Sequence, residues 1–116
     1  MIWNQLTSID QIKEIDAESA HRKVIILKHS TRCSISTSVL NRLESNWKES
    51  DQNKLKPYYL DLLIHRDISN KLATHYNVEH ESPQVLVIEK GKCIYTESHH
   101  GIRYEDLPEV GQKTTL

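Results

Sequence analysis

A chain of 116 residues is long enough for one domain and too short for two ordinary ones. Fifteen basic residues against sixteen acidic leave a net charge of −1, which gives no electrostatic case for a nucleic-acid or anionic-membrane partner. No apolar run approaches a membrane span, and Met1-Ile2-Trp3-Asn4-Gln5 lacks the basic region and apolar core of a signal peptide, so a soluble cytoplasmic protein is expected.

In chain order, Trp3 and Leu6 can form a short edge strand. A first helix is predicted to begin near Ser8, which has capping-box spacing to Gln11, with Ile9, Ile12 and Ile15 as an apolar stripe. Val24 to Lys28 reads as a buried strand, β-branched and uninterrupted. After Cys33, the apolar residues Ile35, Val39, Leu40, Leu43 and Trp47 follow one face of a helix. The polar stretch from Glu49 to Lys56 reads as a loop. Tyr58 to Ile64 is a second apolar strand, with Pro57 where a strand can start. A helix follows from Asp67 to Tyr76, carrying Ile68, Leu72, Ala73 and Tyr76 on one face. Val85 to Ile88 forms the next strand, Gly91 marks a turn, and Cys93 to Thr96 returns as the hairpin partner. A last short helix is expected after Arg103. The domain is expected over residues 1–109, with a loose tail at 110–116.

Two parallel strands in a β-α-β half, then a β-hairpin and a terminal helix, make a thioredoxin-like α/β fold: a central mixed β-sheet flanked by helices. Within it the informative residue is Cys33, in the run His29-Ser30-Thr31-Arg32-Cys33-Ser34-Ile35-Ser36. A strand that delivers a cysteine to a helix N-terminus places the sulfur where backbone N–H groups and the helix dipole favour a negative charge. Thiolate is the reactive species. Free cysteine is often a small buried hydrophobe, but the polar Ser30, Thr31, Arg32 and Ser34 around Cys33 favour a reactive thiol. Three residues on stands Ser36, so the motif is C-x-x-S: one attacking sulfur and no local partner to resolve it.

Backbone N–H groups after Cys33, the Ser36 hydroxyl or Arg32 could support the thiolate. Ser36 could equally be a first-turn serine bonding backbone amides, and Arg32 a solvated charge. Ser82-Pro83 precedes the Val85-Leu86-Val87-Ile88 run, where a thioredoxin-like fold carries a cis-proline that faces the active cysteine. The plainer alternative is a trans proline starting a strand. The neighbouring backbone can offer strand-like hydrogen bonds to an incoming thiol peptide. Cys93 reads as an ordinary strand residue, with a distal resolving thiol as the alternative. No structural disulfide is expected in a reducing cytosol. The seven histidines share no metal-ligand spacing, so no metal site is expected.

From about Trp3 to Tyr104 the chain resembles the YtxJ-type monothiol bacilliredoxins, small thioredoxin-fold proteins of the bacillithiol redox system. The resemblance rests on Lys28-His29-Ser30-Thr31-Arg32-Cys33-Ser34-Ile35-Ser36, Tyr59-Leu60-Asp61-Leu62, Arg66-Asp67-Ile68-Ser69-Asn70 and His80-Glu81-Ser82-Pro83-Gln84-Val85. The family motif reads T-C-P-I-S where this chain has Arg32-Cys33-Ser34-Ile35-Ser36. The resemblance implies that Cys33 is the nucleophile and Pro83 the cis-proline. Thr31, Arg32, Ser34, Ser36, Ser82 and Pro83 would then support the thiolate and bind the thiol substrate. It implies removal of bacillithiol from protein mixed disulfides, with bacillithiol as co-substrate and no tightly bound cofactor. The partners would be a low-molecular-weight thiol and bacillithiolated proteins. The alternatives are a monothiol glutaredoxin-like carrier using glutathione or an iron–sulfur cluster, and a non-catalytic thioredoxin-fold binding module. The first is weakened by the lack of a glycine after Cys33 and of a G-F-S pattern.

Overall fold

The computed structural model describes residues 1–110. Its elements are β1 (Asn4–Gln5), α1 (Gln11–Glu18), β2 (Lys23–His29), α2 (Ser34–Asn46), β3 (Leu55–Asp61), α3 (Arg66–His75), β4 (Gln84–Glu89) and β5 (Lys92–Ser98). They build one sheet in the order β1-β3-β2-β4-β5. The first three of these strands run parallel; β4 lies antiparallel to β2, and β5 pairs antiparallel with β4.

The centre of the sheet is β2, and its composition explains its place. Strands covered on both faces read as continuous apolar runs. Val24 and Ile26 face one core with Ile12, Ile15, Ile68 and Leu72 of α1 and α3. Ile25 and Leu27 face the other with Val39 and Leu43 of α2. The edge strand β5 is half-covered and alternates instead. A bulge between Val87 and Ile88 breaks that alternation. Tyr95 packs with the α2-side core, whereas Cys93, two residues away, packs with the α1–α3 side.

Several sequence expectations shift. The first helix starts at Gln11, which leaves Ile9 exposed outside it. The Gln11 carboxamide accepts the Ser8 N–H, half of a capping box, but the Ser8 hydroxyl accepts from Asp10 instead. The stretch from Glu49 is not a plain loop: Glu49–Asn53 forms a 3₁₀ turn, and β3 already begins at Leu55. Pro57 sits inside β3, before the pairing with β1 begins at Tyr58, so on that side no ladder bond is lost. At its far end β3 stops at Asp61, short of Ile64. The Asp61 carboxylate accepts the N–H groups of Leu63 and Ile64 and turns the chain. The expected last helix is only a 3₁₀ turn, Tyr104–Asp106, after another at His99–Gly101. Gly101 and Pro108 bracket too few residues for a stable α-helix. Ile102 and Leu107 nonetheless complete the α2-side core. Of the expected tail, Val110 packs against that core, and 111–116 lie outside the described residues. Among the described residues no helix is long and apolar enough to cross a membrane.

Candidate active site

Because β2 and β3 are parallel and Lys28 pairs with Gln84 of antiparallel β4, the segments 30–33, 62–65 and 79–83 all emerge at one end of the sheet. Cys33 is the N-cap of α2, extended at φ −106° and ψ 119°. This is the position from which a capping acceptor can reach the first-turn amides, although the Cys33 side chain makes no cap hydrogen bond here. No acidic residue lies in that first turn to oppose a negative charge. The loop is pinned by Cys33 N–H donating to the Ser30 carbonyl (3.2 Å) and by the Cys33 carbonyl accepting from Thr37 N–H (3.1 Å). Cys33 is half-buried.

Ser36 is fully buried, and its hydroxyl is engaged locally. The oxygen accepts the Ser30 N–H at 3.0 Å and lies 2.6 Å from His29 Nδ1. Burial holds the His29 pKa below its ordinary value, against the opposing pull of Asp61 and Glu44. The Ser36 hydroxyl thus ties His29 at the end of β2 to the Ser30 amide and locks the 30–36 loop. Thr31, Arg32 and Ser34 are exposed around Cys33, and Arg32 has no hydrogen-bond or ion-pair partner among the described residues.

On the β4 side, the Ser82–Pro83 peptide bond is cis. Pro83 is buried and its carbonyl accepts the His99 N–H at 3.0 Å. The preceding turn is tied down by Gln84, whose carboxamide donates to the Glu79 carbonyl (2.9 Å) and accepts the Glu81 N–H (3.4 Å). A second tie comes from Lys28, fully buried, with Nζ 3.2 Å from His80 Nδ1 and 3.5 Å from the Ser69 carbonyl. Burial pushes the Lys28 pKa down to about 8.

Sequence reasoning did not single out Lys28, His29 or Gln84. The available signal was a polar pair closing an apolar strand: alternation sends Lys28 to the α1–α3 face and His29 to the α2 face, so both are drawn inside.

Cys93 lies at the opposite end of the sheet. It pairs with Ile88, which pairs with Val24 near the start of β2, whereas Cys33 follows the far end of that strand. Five residues of strand put ~16 Å between those ends, well beyond disulfide reach. Burial raises the Cys93 pKa, and its thiol donates to the Tyr95 carbonyl at 3.3 Å. Among the described residues no three or more His, Cys, Asp or Glu gather as a metal site.

A sheet of this order, with a lone cysteine at the N-cap position of the helix after its central strand and a cis-proline at the same end, defines a thioredoxin-fold thiol–disulfide oxidoreductase. A solved protein assigned as an oxidoreductase with a thioredoxin fold is 33% identical, with TM-score 0.74, over 85% of this chain and 84% of its own. The thioredoxin Mala s 13 of Malassezia sympodialis (18% identity, TM-score 0.67, 84% and 79% covered) shares the fold. So does the thioredoxin of Fasciola hepatica (16%, TM-score 0.62, 83% and 86% covered). More narrowly, the family of the monothiol bacilliredoxin BrxC matches residues 4–107, and the chain belongs to that family.

Proposed function

We propose that this protein removes bacillithiol from protein mixed disulfides through Cys33. The observation that carries the reading is the single sulfur at the α2 N-cap, with Ser36 three residues on and Cys93 at the far end of the sheet. A dithiol mechanism has no second sulfur within reach; a one-sulfur exchange needs none.

The Cys33 thiolate attacks the bacillithiol sulfur of the mixed disulfide. That S–S bond breaks, the target cysteine leaves as a thiolate and takes up a proton, and Cys33 is left bonded to bacillithiol. A second low-molecular-weight thiol, as its thiolate, then attacks the bacillithiol sulfur and releases Cys33. The net result is one reduced protein thiol and one small-molecule disulfide. Bacillithiol carries the carboxylates of malate, so the exposed guanidinium of Arg32, next in sequence to Cys33, would attract it. The turn before Pro83 would hold the polypeptide side of the substrate through backbone hydrogen bonds.

Mass spectrometry of the protein after incubation with oxidised bacillithiol, and separately with oxidised glutathione, tests the assignment. The expected product is one bacillithiol adduct on Cys33, absent in Cys33→Ser, with slower labelling by glutathione. Preferential glutathione labelling would favour the glutaredoxin-like alternative. An adduct on Cys93 alone would overturn the site.

A further inference from the structure

Lys28 is the only lysine or arginine buried among the described residues, and it makes no ion pair there. It lies on the α1–α3 face of β2, two positions beyond Ile26 and paired across the sheet with Leu60 and Gln84. A leucine or methionine would fill that place without desolvating a charge. What the ammonium does instead is reach across to His80, at the start of the segment that ends at Pro83.

An ammonium only donates, so His80 Nδ1 is the acceptor of the 3.2 Å contact and the ring proton sits on Nε2. The Ser69 hydroxyl lies against the same nitrogen at 3.2 Å, which closes the inner edge of the ring. The residue is exposed, and Nε2 has no hydrogen-bond partner among the described residues. Burial, Lys28 and Arg66 all disfavour a charged His80, and only Glu81 opposes them. The ring is therefore held neutral, in one tautomer, with one donor free of any partner in the fold.

We infer that Lys28 is a positioning residue for the exchange reaction: it acts through His80, fixing that ring so that its Nε2–H donates to an acceptor oxygen of the mixed disulfide lying along the Pro83 segment. This rests on the reading that the Pro83 end of the sheet binds the substrate.

Two variants separate the parts. Lys28→Met removes the ammonium and suits the apolar face. His80→Asn keeps an acceptor close to the place of Nδ1 but removes the free donor. With a bacillithiolated peptide as the probe, each should raise KM about tenfold, the worth of one hydrogen bond, with kcat within about twofold of wild type. The double variant should be no worse than either alone. In Lys28→Met, long-range proton–nitrogen spectra of the His80 ring should change from a pure Nε2–H pattern to a tautomer mixture. A wild-type KM in Lys28→Met, or an unchanged ring pattern, overturns the inference. So does a parallel loss of kcat, thermal midpoint and Cys33 alkylation rate, which would make Lys28 a support of the fold only. If the wild-type protein exchanged no mixed disulfide, the functional reading would fall, and the ring spectra would still decide the coupling of Lys28 to His80.

Discussion

Ser34 is the first residue of α2 and follows an extended Cys33, which is the backbone a proline at Ser34 requires of both positions. Ser34→Pro, which moves the motif toward T-C-P-I-S, should stabilise the fold by about 0.4–1 kcal/mol through the unfolded chain. The check is a higher urea midpoint at unchanged m-value. Exchange should persist, because a cap acceptor is served by the amides of the second and third helical residues, which the substitution leaves in place. Cys93 makes the complementary case. Its side chain packs against the α1–α3 core far from Cys33, so Cys93→Ala should keep exchange and lose on the order of 1 kcal/mol of stability. An intramolecular Cys33–Cys93 disulfide trapped during turnover would overturn the one-sulfur mechanism.

Among the elements, the turn after β3 is the one whose geometry a single side chain dictates. Asp61 bonds the N–H groups of Leu63 and Ile64 at 3.1 and 3.3 Å, while the Leu62 N–H donates to the His29 carbonyl next to the Cys33 loop. Asp61→Ala should orphan two amides, cost about 1–2 kcal/mol, and speed amide exchange over 62–65. Unchanged protection there would mean the turn is held by the backbone alone. This turn also marks the limit of what the chain discloses by itself. The strands β2 and β4 and the helix after Cys33 were legible because an uninterrupted apolar run and a 3.6-residue stripe each have one natural reading. The end of β3 was not, because Leu62-Leu63-Ile64 continues an apolar run that a local carboxylate overrides. The place of Cys33 at the start of a helix and the cis Ser82–Pro83 bond were legible from their flanking elements. The partner of Lys28 was not, since His80 stands 52 residues away and only the closed sheet brings them together.

For the molecule as a whole, buried titratable groups set how stability follows pH. Lys28 is lowered by burial from 10.5 to about 8, so between those values the unfolded chain binds more protons and stability rises with pH. Below about pH 8 the buried charge costs about 3 kcal/mol relative to an unshifted lysine. Unfolding curves at pH 7, 8 and 9 should therefore show the wild type gaining on Lys28→Met, which should start more stable and lack the rise. Parallel curves would place the ammonium in water. Above about pH 10 the trend reverses, because burial raises Tyr58, Tyr76 and Tyr104, whose contribution is present below that pH and lost as they ionise. On the acid side, burial lowers both His29 and His80, so stability is complete above their unfolded value of about 6.5 and is lost as pH falls below it.

The bulge that turns Cys93 inward has a consequence for many molecules in one solution. The strand β5 is a seven-residue free margin of the sheet, and a regular, flat margin is a template on which a second copy can add a strand. The extra residue at Ile94 interrupts the even spacing of N–H and C=O groups, and Lys92 places a charge beside it. A pairing copy would have to match that irregularity or leave backbone groups dry. One inserted residue thus discourages fibre growth at this free margin, so the concentration at which copies would pair depends on a kink remote from the sulfur chemistry.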